Sequence, residues 1–83
     1  MILLDNKIKP DKILDFLGLY CPEPVFRTRQ EIDELNVGQV LEVIADDPAS
    51  EADIPSLVKN IGQELLEVSK DEDQYRFIIK KIK

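Results

Sequence analysis

The sequence has no histidine and no tryptophan, and among its 83 residues there is a single cysteine, Cys21. The absence of histidine removes the commonest general base and the commonest metal ligand, and it also excludes a Cys-His catalytic pair. One cysteine cannot form an intramolecular disulfide, so the fold must be held by its core alone. We therefore expect no metal and no cofactor, and we expect any reaction to depend on one thiol.

A long apolar run is also missing. The N-terminal apolar run Met1-Ile2-Leu3-Leu4 is followed directly by Asp5. This run is far shorter than the apolar region of a signal peptide. No stretch approaches the 18 or more apolar residues of a membrane span. We expect a cytoplasmic protein, because a thiol stays reduced there, and we expect no membrane partner.

Negative charge dominates the composition. Seventeen acidic residues against eleven basic ones give a net charge of −6. Because phosphates would be repelled at long range, nucleic acid is a poor partner and a basic protein is favoured. A chain of this length builds one two-layer core, and we expect a single domain that is monomeric.

The apolar pattern predicts six elements. In chain order they are a strand at 13–17, a helix that begins at Pro22 and stops at 36–38, a strand at 40–45, a second helix that ends at Gly62, and strands at 64–69 and 75–82 around a turn at 71–73. The order β-α-β-α-β-β indicates an α/β fold, a two-layer α/β sandwich in which two helices cover one face of a four-stranded mixed sheet. Residues 1–11 are expected to form an N-terminal tail or an added edge strand, and residues 12–83 the domain.

Spacing also predicts how the helices begin and which faces they bury. The first helix is expected to bury a stripe of Val25, Thr28, Ile32 and Leu35, and the second a stripe of Ile54, Leu57, Val58 and Ile61. Ser50 and Asp53 have the spacing of a capping box. Because Pro55 would remove a hydrogen bond inside a helix, we expect the regular helix to begin near Asp53, after one irregular turn.

Cys21 stands in the run Cys21-Pro22-Glu23-Pro24 at the start of the first helix. A helix N-terminus stabilises a thiolate, but neither proline offers an N–H, and the charge of Glu23 opposes an anion. The run therefore predicts a thiol that is presented at the surface and only modestly activated. The alternative is that Cys21 is a small buried apolar residue with a structural role only.

Other residues are expected to support Cys21 or to contact partners. A crossover between two parallel strands places the loops after both strands at one sheet edge, so Cys21 should lie beside Asp46 and Asp47, which otherwise form a turn that caps the second helix. Arg27 is expected to pair with Glu23 four residues earlier. Arg29 lies about 12 Å along the helix axis from Cys21, which favours a role at a protein interface.

The run from Leu17 to Val25 resembles the signature of the TusA or SirA-like sulfur-carrier family, which contains a Cys-Pro-x-Pro motif. The resemblance continues through 44–49, 53–55 and 64–65 to a closing strand at 75–80, and it covers roughly residues 12 to 82. Four further matched segments in the right order make the resemblance specific.

The resemblance implies a sulfurtransferase that acts as a persulfide carrier. Cys21 would accept sulfane sulfur from a donor protein, a cysteine desulfurase or a rhodanese-like protein, and would relay it to an acceptor protein, with little turnover on its own. Glu23, Arg29 and Asp47 match positions at or near partner surfaces in the family. Tyr20 stands where the family often has a basic residue, and Gln63 stands where it often has histidine. The alternative function is a non-catalytic protein-binding or regulatory module in which Cys21 is structural.

Overall fold

The four strands and two helices occur in the order that the sequence predicts. The structure is a computed structural model that describes residues 10–20 and 23–83. Its elements are β1 (Lys12–Phe16), α1 (Glu23–Glu34), β2 (Val40–Ala45), α2 (Ser50–Asn60), β3 (Glu64–Asp71) and β4 (Gln74–Lys80). The predicted boundaries of β2 are confirmed, while β1 begins and ends one residue earlier than expected, and β4 ends at Lys80 rather than at Ile82.

The strands form one mixed sheet in the order β1-β2-β4-β3. β1 is parallel to β2, as predicted, and β4 is antiparallel to both of its neighbours. β1, β2 and β3 therefore all point the same way. As a result, the described parts of the connections β1–α1, β2–α2 and β3–β4 lie at one edge of the sheet, which we call the motif edge (residues 17–20, 23, 46–51 and 71–74). The opposite edge comprises residues 35–39, 59–64 and 80–83.

One apolar core lies between the sheet and the two helices, because alternate residues of every strand face the helices. Its sheet side is formed by Leu14, Phe16, Leu41, Val43, Ala45, Tyr75, Phe77 and Ile79, and its helix side by Ile32, Leu35, Ile54 and Val58. This arrangement confirms the predicted two-layer α/β sandwich.

The other face of the sheet carries polar residues beside apolar ones. The Arg76 guanidinium donates to the carboxylate of Glu42, with 2.7 Å between Nε and Oε2, and Glu42 is buried. Ile78, which alternation placed on this outward face, is also buried and pairs in register with Glu42 and Glu67.

Helix α1 buries a face slightly different from the predicted one. Pro24, Thr28 and Ile32 are its buried residues, whereas Val25 is only half-buried. Pro24, Thr28 and Ile32 are spaced by four, so they stack on one face, and Val25 lies at the border of that face. Val25 packs against the core as the stripe predicts, although it is only partly buried, and Pro24 is an additional buried residue that the stripe did not include.

The predicted start of α2 was wrong. Ala49 is the N-cap residue and makes no side-chain capping bond, while Ser50 is the first helical residue and is buried. A regular helix then runs from Ser50 past Pro55, without the irregular turn that we expected. Pro55 removes one bond to the carbonyl of Glu51, and Glu51 lies at an exposed position where water can satisfy that carbonyl.

Hydrogen bonds from side chains to the backbone stabilise the opposite edge. The Lys81 ammonium donates to the carbonyl oxygens of Asp33 and Leu35 at 3.3 and 2.9 Å, so it caps the C-terminus of α1. The Gln63 amide accepts hydrogen bonds from the N–H groups of Ile82 and Lys83 and donates to the carbonyl of Lys83. The chain after β4 is thereby tied to the ends of both helices.

Lys12 at the start of β1 forms an ion pair with Glu31 of α1. The hydrogen bond to Glu31 raises the pKa of Lys12 above its ordinary value of 10.5, and the charges of Glu31 and Glu34 act in the same direction. Within the described residues, no helix is long and apolar enough to cross a membrane.

Candidate functional site

The loop between β1 and α1 contains the predicted reactive residue. Cys21 and Pro22 lie outside the described residues, and the loop is described up to Tyr20 and again from Glu23. Gly18 has a φ of 85°, a conformation that glycine adopts at no steric cost. The N–H of Leu19 donates to the Phe16 carbonyl at 3.1 Å, and the N–H of Glu23 donates to the Tyr20 carbonyl at 2.9 Å. A short turn thus precedes Cys21, and a hydrogen bond joins Tyr20 and Glu23, the described residues on either side of it.

Asp46 ties this loop to the neighbouring one. The backbone N–H of Gly18 donates to Asp46 Oδ1 at 3.0 Å, across 28 residues of sequence. Asp46 directly follows β2, so the contact joins the ends of two adjacent parallel strands, as the predicted topology requires. The expected proximity of the two loops is therefore found in their described residues, three positions before Cys21.

Asp47 has a different role from Asp46. It is buried, and its Oδ1 accepts a hydrogen bond from the Ala49 N–H at 3.2 Å, while its backbone carbonyl accepts one from the N–H of Ser50. These bonds shape the turn that starts α2, which is the capping role expected for the Asp46-Asp47-Pro48 segment. The side-chain oxygen that accepts a hydrogen bond at the start of α2 belongs to Asp47 rather than to Ser50.

The first turns of α1 hold the remaining predicted site residues. Arg27 pairs with Glu23 at 2.9 Å between Nε and Oε1, as expected for residues four apart. Pro24 is buried and acts as a packed helix entry rather than as a contact surface. Arg29 is exposed and forms no ion pair with the described residues.

Two aromatic side chains beside the motif face outward. Tyr20 is 72% exposed, and Phe26 on α1 is 60% exposed. Sequence reasoning noted Tyr20 only as a departure from the family pattern and passed over Phe26. The signal for Phe26 was its helical position, since it lies two residues from each of Pro24 and Thr28 and so cannot share their buried face.

The third loop of the motif edge was also missed as part of the site. β3 extends to Asp71 and pairs it with Gln74, so the turn is reduced to Glu72 and Asp73. Glu72 adopts a φ of 56°. The strand order places this acidic turn about 10–15 Å from the end of β1, at roughly 4.8 Å per strand.

The site therefore has carboxylates, an exposed aromatic pair and a single thiol in its sequence. In the described part of the chain, no group of three or more His, Cys, Asp or Glu side chains is placed to hold a metal ion. With no histidine in the sequence, the chain supplies no imidazole to accept the thiol proton.

Comparison with known proteins assigns the family. A family model described as sulfurtransferase TusA matches residues 12–81. Two proteins of Archaeoglobus fulgidus, both described as sulfur carriers, are similar to the chain. One is 56% identical over 73 residues, which are 87% of this chain and 95% of that protein. The other is 42% identical over 71 residues, which are 86% of this chain and 97% of that protein.

A solved structure has the same fold. The crystal structure of a SirA-like protein from Desulfitobacterium hafniense superposes with a TM-score of 0.76 at 27% identity, over 87% of this chain and 99% of that one. The family model, the two relatives and the solved structure agree with one another. The chain belongs to the TusA family of sulfur carriers.

Proposed function

We propose that Cys21 carries a sulfane sulfur atom as a persulfide and relays it from a donor protein to an acceptor protein. The observation that carries this proposal is the combination of family membership with a single cysteine, which lies in the family motif on a loop that Asp46 tethers to the motif edge. With one cysteine in the chain, the sulfur of a TusA-family carrier has one thiol available to it.

The loading step is a transfer between two thiols. The Cys21 thiolate attacks the terminal sulfur of the donor persulfide, the new S–S bond forms, and the donor S–S bond breaks to release the donor thiolate. The terminal sulfur keeps its proton, or its negative charge, when it is transferred to Cys21. Unloading repeats the same displacement with a thiolate of the acceptor protein, which becomes the new persulfide, and Cys21 leaves as the thiolate. Neither step needs an external oxidant or reductant, because the sulfur keeps its oxidation state throughout.

The surroundings of the loop support a carrier rather than an independent catalyst. Pro22 and Pro24 offer no N–H to a thiolate, and the segments that adjoin the motif contain the carboxylates of Glu23, Asp46 and Asp47. We infer a thiol that reacts once a partner has brought its own activating groups. The donor is a cysteine desulfurase or a rhodanese-like protein, and the carrier works as a monomer in the cytoplasm, with no direct contact to nucleic acid.

The supporting residues then divide by role. Asp46 positions the motif loop, Asp47 shapes the start of α2, and Pro24 anchors the helix entry. Glu23, with its partner Arg27, and Arg29 lie on the surface that a partner would meet. This division follows the contacts of each described side chain.

Intact-mass spectrometry tests the proposal. The protein is incubated with a cysteine desulfurase and cysteine, and in parallel with inorganic polysulfide, after which excess donor is removed. We expect an added mass of one sulfur atom on the wild type and none on Cys21→Ser. An adduct that survives in Cys21→Ser, or no adduct with any sulfane donor, would contradict the proposal and favour a binding module with a structural cysteine.

A further inference from the structure

We propose that residues 1–9 of this chain cover the outer face of the sheet, the face that is turned away from α1 and α2. The apolar members of the outer face alternate along β1, β2 and β4 with the core residues, and they are Ile13, Val40, Ile44 and Ile78. Residues 1–9, expected from the sequence to form a tail or an added edge strand, lie outside the described residues. The proposal gives this segment a binding surface on its own domain and does not depend on the chemistry of Cys21.

The middle of the outer face is buried. Ile78 is 1% exposed and its register partner Glu42 is 8% exposed, although neither belongs to the core. Ile13, which pairs with Glu42 on the other side, lies in the edge strand β1 and is 60% exposed. The side chains of Glu42, Arg76 and Glu67 shield the flanks of Ile78, but the outward end of a side chain on an uncovered sheet face remains in water. The burial of Ile78 within a single chain therefore points to a cover that the same chain supplies.

The described elements are all engaged elsewhere. Both helices contribute to the core on the other side of the sheet. The segment after β4 is held at the opposite edge by Gln63, and the Gly38 N–H donates to the Lys81 carbonyl at 2.7 Å. Within residues 10–20 and 23–83, no helix or strand lies over the outer face. The N-terminal segment is the remaining stretch long enough to cover it.

The N-terminal segment joins the domain at a corner from which it can reach the outer face. The ladder of β1 begins at Asp11, whose N–H donates to the Val40 carbonyl at 2.7 Å. Ile78 in β4 lies two strands from β1, about 10 Å away at about 4.8 Å per strand. Nine extended residues span up to about 30 Å. Residues 1–9 can therefore leave Pro10, pass Ile13 and cross β2 to lie over Ile78.

The composition of the segment matches the outer face, which mixes apolar and charged side chains. Five of its nine residues are large and apolar, namely Met1, Ile2, Leu3, Leu4 and Ile8, whereas a segment that stays in solvent is typically poor in such residues. Its basic residues are Lys7 and Lys9. Exposed carboxylates lie in register with Ile44 and Ile78, at Asp15 and Glu67. The apolar side chains of the segment would pack on the isoleucines of the outer face, and its lysines would meet these carboxylates.

Methyl NMR on the full wild-type chain tests the proposal. With isoleucine and leucine methyl groups labelled with carbon-13, we expect nuclear Overhauser effects between methyls of Leu3, Leu4 or Ile8 and those of Ile44 or Ile78. A mixture of labelled and unlabelled chains separates contacts within one chain from contacts between two. Methyls of residues 1–9 that contact no residue of the outer face would overturn the proposal, and so would contacts found only between two chains, which would assign the outer face to a second copy.

A variant of the segment shows whether it is the cause of the burial of Ile78. The double substitution Leu3→Ser and Leu4→Ser removes two apolar contacts and leaves the described domain unchanged in sequence. We expect the contacts to the outer face to disappear, and we expect a soluble paramagnetic probe to relax the Ile78 methyl several-fold faster than in the wild type. Val37→Ser, at an apolar residue that is 65% exposed at the opposite edge, is the matched control and should leave both measurements unchanged.

The outcomes keep this proposal separate from the carrier function. If the Ile78 methyl is equally protected in the wild type and in the double variant, the neighbouring stems of Glu42, Arg76 and Glu67 bury it, and the cover by residues 1–9 is overturned. A failure of sulfane donors to load Cys21 would overturn the carrier function and would leave the contacts of residues 1–9 unaffected.

Discussion

The two edges of the sheet differ in charge and in how their polar groups are satisfied. At the opposite edge, the Lys81 side chain binds carbonyls at the C-terminus of α1, the Gln63 side chain binds Ile82 and Lys83, and lysines predominate. At the motif edge, carboxylates predominate and the ring of Tyr20 is exposed, as is that of Phe26 in the adjoining helix α1. Of the described residues, the buried hydroxyls without a hydrogen-bond partner are those of Thr28 in α1 and of Ser50 at the motif edge. The comparison indicates that one edge closes the fold and the other is organised for a partner.

The largest effect is expected from removing the tether of the motif loop. Asp46→Ala deletes the acceptor for the Gly18 N–H, and a bond to a charged group contributes about 1.5–3 kcal/mol. Because Gly18 is exposed, we expect a loss near the lower end of that range. Loading of Cys21 by polysulfide should also slow, since the loop loses its fixed position. Urea unfolding and the loading rate measure the two effects.

Asp46→Asn is the matched control for that change. It keeps an acceptor oxygen and removes the charge, so most of the stability and of the polysulfide loading rate should return. If Asp46→Asn behaves like Asp46→Ala in both measurements, the carboxylate acts through its charge and not through the bond to Gly18.

A substitution at the opposite edge should change stability and leave the rate of Cys21 loading unchanged. Gln63→Ala removes the contacts to Ile82 and Lys83, and we expect a loss of about 1–1.5 kcal/mol from hydrogen bonds that are partly exposed. The rate of Cys21 loading should stay unchanged. Gln63→Glu keeps the acceptor oxygen and loses the N–H donor. Its free energy of unfolding should therefore lie between those of wild type and Gln63→Ala. A slower loading rate in Gln63→Ala would show that the edges are coupled.

The buried hydroxyl of Thr28 in α1 should be dispensable for stability. Thr28→Val replaces the unpartnered hydroxyl of a fully buried side chain with a methyl group of similar shape. Because that hydroxyl was desolvated without gaining a partner, we expect the free energy of unfolding to rise by up to about 1 kcal/mol. A fall in the urea midpoint would mean that the Thr28 hydroxyl is hydrogen-bonded in solution.

The smallest effect should come from the exposed ion pair between Lys12 and Glu31, because surface pairs contribute little. The pKa of Lys12 is raised in the folded protein, so the stabilisation is fully present below pH 10.5 and is lost as the pH rises through the raised value. Glu31→Gln should therefore lower the urea midpoint slightly at pH 7, and the difference from wild type should vanish above that pKa. A difference that persists there would assign the effect to packing.

The sequence was most informative where one physical rule dominated. The continuous apolar run of β2 made Val40–Ala45 recognisable as a central strand, and the parallel pairing of β1 and β2 was enough to bring the loop before Cys21 to Asp46. The ion pair of Glu23 and Arg27 followed from helical spacing alone. Each of these predictions used contacts that are local or that topology fixes.

The missed features depend on contacts between distant residues. Lys81 caps α1 across 46 residues of sequence, and no spacing pattern encodes such a contact. The acidic turn at Glu72 lies at the motif edge because β3 runs in the same direction as β1 and β2, which follows from the antiparallel pairing of β4 with both β2 and β3. The start of α2 was misplaced because Ser50 and Asp53 fit a capping box, whereas the burial of Ser50 and the bond from Ala49 to Asp47 decided the outcome.

Cyanolysis of the loaded protein tests the central claim most directly. Cyanide attacks the terminal sulfur of a persulfide, forms thiocyanate and releases the Cys21 thiolate, so it counts only sulfur that can be transferred. After loading with polysulfide and removal of excess donor, we predict one thiocyanate per wild-type chain, a free thiol afterwards, and none from Cys21→Ser. Equal thiocyanate from wild type and Cys21→Ser, or a loaded sulfur that cyanide cannot remove, would contradict the account.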